Sequence, residues 1–599
     1  MPEKTGLYSI GSAGAAIRQI SSGSGDETRW VAVLQDVGER VEVHVTTLKR
    51  KRTLMGAGTF KVSGDHELTA QIAGRPLMCR VNAQANALLV ANDLGQILYF
   101  AAGECGFELK QTFAPFGVLA AGERVEMEFL LGGTTAVITG TDGRMAAYSL
   151  FRTESAKERL FGRIKDFPAM SQGLSDLAVS ARNKAFLAAS QESVSLRYLT
   201  TGAVRWKSRM PFKVQKALIG GKYDRLFFLD EAGTLHAYRL DDPHPEAGFK
   251  AFFGKIWYEG YTEPVYAWQS TGGTDEFESK LSMVPLLFGS LKGTFYALVF
   301  ALPLALLAAL YTSQFAAPNF KQFVKPAMEI MASLPSVVLG FLGALWLAPL
   351  IERQMPSVFL VILALPAAAL AFGGIWSRIP AAKKAWCPDG REMLVMAPVV
   401  LVTAWAAWQM GPWVERIFFT VADPETGKRI ADFRLWWPAV TGLDFEQRNS
   451  LVVGFMMGFA VIPIIFTISE DALSNVSASL KSASLALGAS RWQTAIRIIV
   501  PTASAGILSA VMIGFGRAVG ETMIVVMATG NTPVMNWNIF SGMRTLSANI
   551  AVELPEAPYL GTLYRTLFLG AFLLFVLTFA VNTLAEFLRE RLRTRYENV

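Results

Sequence analysis

Cysteine and histidine are scarce, three and four in 599 residues. That excludes a disulfide scaffold and any Cys-rich zinc or iron–sulfur site. Charge is scarce too. Asp, Glu, Lys and Arg make up 18% of the chain, where a soluble domain holds about a quarter. With 52% hydrophobic residues and a mean hydropathy of +0.33, neither a disordered nor a wholly soluble protein is expected. The chain has no Gly-x4-Gly-Lys-Ser/Thr phosphate loop, so it carries no ATPase motif of its own. It has no Gly-x-Ser-x-Gly elbow, no Cys–His set and no paired catalytic carboxylates. His44, His66, His236 and His244 stand at no metal-ligand spacing. No enzyme activity, metal or cofactor is expected. Met1 to Gly25 lacks the apolar core of a signal peptide or anchor. The 56 Lys+Arg against 49 Asp+Glu leave a net charge of +7. On so apolar a chain this points to cytoplasmic loops and not to nucleic acid.

Long apolar runs are present, and all lie beyond residue 284. No charged residue occurs in 293–320, 330–351, 354–377, 393–414, 449–469, 498–516, 522–543 or 566–585. About 20 apolar residues cross about 30 Å of hydrocarbon. Seven helices are predicted, at roughly 287–312, 328–351, 356–377, 393–411, 450–469, 501–529 and 565–587. The sixth runs continuously through Arg517 and Glu521. The second and third could instead form a re-entrant pair, but each is long enough to cross alone.

Lys and Arg in short loops set the orientation. Arg589, Arg591, Arg593 and Arg595 place the C-terminus in the cytoplasm. Alternation then puts Lys321 and Lys325 inside. It does the same for the 378–392 loop (Arg378, Lys383, Lys384, Arg391) and for the stretch with Lys481, Arg491 and Arg497. Loop 412–448 falls outside despite Arg416, Lys428, Arg429, Arg434 and Arg448, and is outvoted. Seven spans put residues 1–284 on the outer side. A folded domain reaches that side only with a helix or signal before it, so either a first helix lies further upstream or the number of spans differs by one.

Residues 1–255 read as repeated hairpins. The pattern is an apolar run, an acidic turn with Gly, then an alternating strand. It appears at 30–45, 87–100, 135–150 and 225–240, with a degenerate copy at 184–199. Gly38, Gly95, Gly143 and Gly233 supply positive φ at the turns. Spacings of about 40–57 residues suit the four-stranded blades of a propeller; a β-sandwich with recurring hairpins is the alternative. Cys79 and Cys105 could pair, or both be buried thiols. The run Lys49-Arg-Lys-Arg52 reads as a solvated turn between strands. A structural or docking role follows for this domain, with residues 256–284 as a linker.

Two constellations carry function. The first is Ser482-Ala-Ser-Leu-Ala-Leu-Gly488, nine residues, then Ile498-Ile-Val-Pro501. Its small residues make an approachable helix surface. Gly488 suits a helix end and Pro501 the first turn of the next helix. The second is Gly514-Phe-Gly516-Arg517-Ala-Val-Gly520-Glu521-Thr522-Met523. An Arg at membrane depth needs a partner or water. Arg517 and Glu521 at i and i+4 would share a helix face and pair. Gly516 and Gly520 would let another backbone come close. The pair could simply fix helix packing. The functional reading is an Arg whose planar donors attract an oxyanion.

The first frame resembles the cytoplasmic EAA loop of ABC importer permeases, matching at Ala483, Gly488, Ile498 and Pro501. It departs at Ser482, Ser484 and Val500. The resemblance implies that this loop docks on an ATPase subunit, within 475–501. Arg-Ala-x-Gly-Glu is shared by oxyanion permeases, including those for sulfate and molybdate. Thr522-Met523, Gly530-Asn531-Thr532 and Ser333-Leu-Pro-Ser-Val-Val338 with Gly340 look like the phosphate-specific branch. Trp257 to Tyr261 and Trp268 to Gly273 resemble the long proteobacterial C-subunit permease of that importer, which carries an extra domain. The resemblance implies a type I importer permease fold, a multi-pass α-helical membrane protein behind an all-β, propeller-like domain. It implies a bacterial inner-membrane location, with residues 1–255 periplasmic. It further implies a second related permease, two ATPase subunits and a periplasmic phosphate-binding protein as partners. Arg517, Glu521 and Thr522 would line the substrate path.

Overall fold

The computed structural model describes residues 10–53, 56–103, 106–117, 123–152, 158–171, 173–274, 276–380, 392–422 and 429–596. It divides into two compact units, Met1–Ser282 and Met283–Val599.

The first unit is built from antiparallel meanders in chain order. They are β1–β4 (Ala16–Ser24, Thr28–Val37, Arg40–Thr53, Gly56–Glu67), β5–β8 (Pro76–Val81, Leu88–Asn92, Ile97–Gly103, Gly106–Phe113) and β9–β12 (Val125–Phe129, Thr135–Gly140, Met145–Arg152, Arg159–Phe167). Then come β13–β16 (Asp176–Val179, Ala185–Ala189, Ser193–Tyr198, Val204–Arg209) and β17–β19 (Val214–Ile219, Arg225–Asp230, Leu235–Arg239). The first strand of each sheet lies beside the first strand of the next, from β1 through β5, β9 and β13 to β17. That is the blade order of a propeller.

Side-chain alternation explains why the middle strands read as unbroken apolar runs. Leu88 and Val90 of β6 face Trp30, Val43 and Val45 of the first sheet. Leu89 and Ala91 face Met127, Ile138 and Ala146 of the third. Both faces are buried, so the strand needs no polar position. The same holds for β10 and β14, all of whose residues are buried. All five expected hairpins are present, as β2–β3, β6–β7, β10–β11, β14–β15 and β18–β19. Gly38, Gly95, Gly143 and Gly233 have φ of 63°, 75°, 90° and 82°.

One detail differs from expectation, and one open alternative is decided for Cys79. Residues 49–52 lie within β3, paired with β4, and not in a turn. Cys79 is a free, buried thiol whose burial pushes its pKa up to about 12. Cys105 lies outside the described residues.

After β19 the chain forms the short helix α1 (Phe249–Phe253) and then straps back over the meander loops, closing with β20 (Trp268–Gln269) against β21 (Lys280–Leu281). Three carboxylates fasten the strap. Glu259 takes Lys184 Nζ at 2.8 Å, Glu276 takes Gln84 Nε2 at 2.8 Å, and Glu278 accepts the Thr200 hydroxyl. What reads in the sequence as a linker is therefore docked structure within the first unit.

The second unit is helical: α2 Val284–Gln314, α3 Pro318–Ala332, α4 Ser336–Leu342, α5 Ala348–Arg353, α6 Met355–Arg378, α7 Glu392–Phe418, α8 Phe433–Thr441 and α9 Ser450–Ser474. These are followed by α10 Ala478–Ala486, α11 Arg491–Thr494, α12 Val500–Thr502, α13 Ser504–Gly520, α14 Met523–Ala528, α15 Leu546–Glu553 and α16 Thr562–Tyr596. Among the described residues, six helical stretches are long and apolar enough to span a membrane. A seventh results if Arg491–Thr502 and Ser504–Gly520, bent by 69°, count as one. The span of α4 and α5 starts later than expected, because Pro335 breaks the helix after Ala332. A π-helical turn, Gly343–Leu347, joins α4 to α5.

The centre of this unit is α2 against α9. Ala297, Ala301, Ala305 and Ala309 are all fully buried, one per turn on one face of α2. Gly454 of α9 faces Tyr296 and Gly458 faces the Ala297 carbonyl. Small residues at four-residue spacing let two apolar helices approach where no hydrophobic effect drives them together. By contrast, the most apolar window of α6 buries no residue, and α6 packs mainly on α7. Lys383, Lys384 and Arg391, between those two helices, lie outside the described residues, as does Lys428.

Candidate functional site

Arg517 sits near the end of α13. Gly514, about one turn before it, is buried against Val461 and Ile465 of α9. The guanidinium is exposed, on a stripe with Ile513 and Gly520. Positions 513, 517 and 520 are spaced four and three apart and share a helix face. Among the described residues no carboxylate forms an ion pair with Arg517.

The expected pairing with Glu521 is not made, and the expected continuous helix 501–529 is broken. α13 ends at Gly520, and Glu521 is extended at φ −66° and ψ 125°. Its carboxylate instead accepts from the backbone N–H of Thr522 at 3.2 Å and of Ile524 at 3.5 Å. Glu521 thus caps the first turn of α14, where open N–H groups favour a negative charge. The glycine before it, with its low helix propensity, lets the chain leave the helix. The Glu521 carbonyl receives the Ser547 hydroxyl at 3.0 Å, and the Thr522 hydroxyl turns back to the Gly520 carbonyl at 3.1 Å.

Gly516 and Gly520 do not seat another backbone of this chain. The nearest atom to a Cβ at 516 is Asn582 Oδ1 at 3.9 Å, and nothing lies within 4 Å at 520. The glycine doing that work is Gly340 in α4, whose Cβ position lies 3.0 Å from the Met523 carbonyl and from Met527 Cβ. It brings α4 directly onto α14.

The second constellation forms a compact, exposed projection. Ser477 caps α10 through the Ser479 N–H. Ser482 and Ala483 are exposed on α10, and Leu485 and Leu487 beside them are 46% and 89% exposed. Gly488 has φ +83° and open space around it. Ser490 and Gln493 form a reciprocal capping box on α11. The Ser484 and Thr494 hydroxyls, 2.9 Å apart, hold α10 to α11. A π-helical turn, Ala495–Ile499, carries Ile498 into α12, where Pro501 occupies the first turn. Leucines this exposed on a short, well-capped helix form a surface suited to a partner groove.

Sequence reasoning missed Lys292. It is fully buried in α2, and its ammonium donates to Ser541 Oγ at 2.9 Å and Asn536 Oδ1 at 3.4 Å. It anchors the irregular segment 529–545, which is also held by the Gly542 N–H on Glu446 at 2.9 Å and by Arg544 on Glu553 at 2.5 Å. The signal was available: Lys292 is a lone charge at the edge of an apolar window. Among the described residues no group of three or more His, Cys, Asp or Glu could hold a metal ion.

Residues 301–595 match the model of a family described as binding-protein-dependent transport system inner membrane component. The chain is similar to the phosphate transport system permease protein PstC 1 of Mycobacterium tuberculosis, 27% identical over 306 residues, 51% of this chain and 70% of that one. It is similar to a phosphate transport system permease protein PstC of Haemophilus influenzae, 25% identical over 339 residues, 56% and 81% of the two chains. A probable ABC transporter permease protein of Bacillus subtilis, YqgH, is 25% identical over 316 residues, 52% and 74% of the two chains. Among solved structures, the β-propeller domain of Swd1 (Cps50) from Myceliophteria thermophila matches at a TM-score of 0.27 and 10% identity, covering 38% of this chain and 83% of that one.

Proposed function

We infer from one premise, that residues 301–595 belong to the family of binding-protein-dependent transport system inner membrane components, that this chain is the permease subunit of an importer for inorganic phosphate. The observation that carries the reading is Arg517, an exposed cation on an apolar helix with no carboxylate among the described residues to neutralise it. A guanidinium so placed in a membrane is costly unless it meets water, an anion or a second chain. Its donors fit a tetrahedral oxyanion bidentately. The exposed stripe of Ile513, Arg517 and Gly520 would be one wall of the path, with a second, related permease forming the other. Glu521 and Thr522 shape the chain at the helix break beneath it.

The energy comes from separate subunits. The α10 projection, with Ser482, Ala483 and Gly488 on its surface and Ile498 and Pro501 at its base, would seat in a cytoplasmic ATPase, one of two. That places α10 and the C-terminus in the cytoplasm and residues 1–255 in the periplasm, where a phosphate-binding protein delivers substrate.

Arg517→Ala is expected to reduce phosphate uptake by at least a hundredfold while the chain still co-purifies with its companions. Labelled phosphate uptake in a strain lacking other phosphate systems checks this, with sulfate as competitor. Uptake at the wild-type rate in Arg517→Ala would refute the reading. Sulfate competing as well as phosphate would move the substrate to another oxyanion.

A further inference from the structure

The strap and the third meander enclose a second basic site, away from Arg517 and within the first unit. A cavity of about 440 Å³ is lined by Arg163, Lys165 and Asp166 of β12, by Thr200, and by Lys250, Lys255 and Trp257. That size falls among small-molecule sites. Arg163 is bound to Asp166, so those two charges largely cancel. Three ammonium groups remain.

Lys165 is held in place by the Leu199 and Thr200 carbonyls, at 2.6 and 2.5 Å. An ammonium has three donors, so one is left for the cavity. Burial pulls its pKa down to about 8, with Glu278 opposing and Lys250 adding to the fall. Glu278, which accepts the Thr200 hydroxyl, is itself pushed above the usual carboxylate range by burial and by Glu259. Lys250 and Lys255 are exposed, and among the described residues neither has an ion-pair partner. The Lys255 ammonium lies 5.8 Å from the centre of the Tyr266 ring. Trp257 is fixed by donating Nε1–H to the Tyr261 carbonyl at 2.8 Å, and with Ile256 and Pro264 it forms the apolar wall.

Like charges gathered around a concave wall repel one another unless an anion joins them. We propose that this cavity binds a multiply charged phosphoryl anion, larger than orthophosphate, through Lys165, Lys250 and Lys255. Three cations match a polyphosphate or the phosphate tail of an ester, and the Trp257 wall leaves room for an apolar or planar remainder. The strap, which carries Lys255 and follows Lys250 of α1, runs into α2 through only Ser282 and Met283. Occupancy would therefore stiffen the segment from which the first membrane helix begins.

The test is isothermal titration of the full chain in detergent with tripolyphosphate, ADP and orthophosphate in turn, at constant ionic strength. Saturable binding of tripolyphosphate or ADP, at least tenfold tighter than orthophosphate, is expected. Lys250→Glu/Lys255→Glu should weaken it at least tenfold, and Arg517→Ala should leave it unchanged. Tripolyphosphate binding tighter than ADP would assign an inorganic polyanion; the reverse would assign an ester. No saturable binding in any arm overturns the site. Binding unaffected by the double lysine substitution, or lost in Arg517→Ala, overturns it equally. This outcome is separable from the uptake result, because the lysine substitutions and Arg517→Ala are read one at a time in the same titration.

Discussion

Glu521 and Arg517 occupy neighbouring turns in sequence but do separate jobs. The carboxylate accepts two backbone N–H groups at the start of α14, a role an amide oxygen can partly keep. Losing the charge forfeits about 0.3–1 kcal/mol of helix-terminus stabilisation, and losing the acceptor about 1 kcal/mol. Glu521→Gln is therefore expected to retain assembly and a reduced uptake, Glu521→Leu less, and Arg517→Ala essentially none. Uptake assays on the three variants at matched membrane levels check the order. Gln and Arg517→Ala behaving alike would mean the carboxylate acts on substrate. The i,i+4 spacing that suggested pairing was a sound inference on an unbroken helix. It failed because composition does not reveal a break. The residues on both sides of Gly520 are apolar enough to continue a span, and only the fold shows the backbone leaving the helix there.

At the scale of elements, the hairpins of the first unit were legible for a physical reason. Strands buried on both faces, such as β6 and β10, write their burial into sequence as apolar runs, and turns needing φ > 0 mark themselves with glycine. The docked strap was not legible, because its fasteners are three isolated carboxylates with no periodicity. Lys292 was passed over because a single charge at a window edge looks like a boundary. The α10 projection was legible through Gly488 and Pro501. Gly488 at φ +83° has open space where a side chain would go, so a larger residue meets nothing within the chain. The backbone strain is about 1–2 kcal/mol, too little to unfold a helix capped at Ser477. Gly488→Trp is thus expected to leave folding intact and to uncouple uptake from ATP hydrolysis. Co-purification with the ATPase and phosphate-stimulated turnover measure it, and normal values for both would contradict the docking of α10.

For the whole molecule, sidedness is the open arithmetic. Counting the bent pair as one span gives seven crossings. With a cytoplasmic C-terminus, the proposal is that residues 1–282 lie outside. Ser171 is exposed at a turn of the first unit, which makes it a suitable reporter. With Cys79, Cys105 and Cys387 replaced, Ser171→Cys is expected to react with a membrane-impermeant thiol reagent in intact spheroplasts. Reaction only after lysis would place the domain in the cytoplasm and reduce the number of crossings by one.

The exposed guanidinium on α13 has a consequence for the economy of the cell. A copy of the chain inserted without its companions presents Arg517 to lipid, at about 3 kcal/mol on insertion scales. Such an orphan is marked by its own sequence as incomplete, and membrane proteases that act on locally unstable helices would remove it. Subunit ratio would then be set after translation, by survival and not by synthesis. In a pulse-chase experiment, the chain expressed alone should decay several-fold faster than in the presence of its partners. Arg517→Leu should decay slowly in both settings.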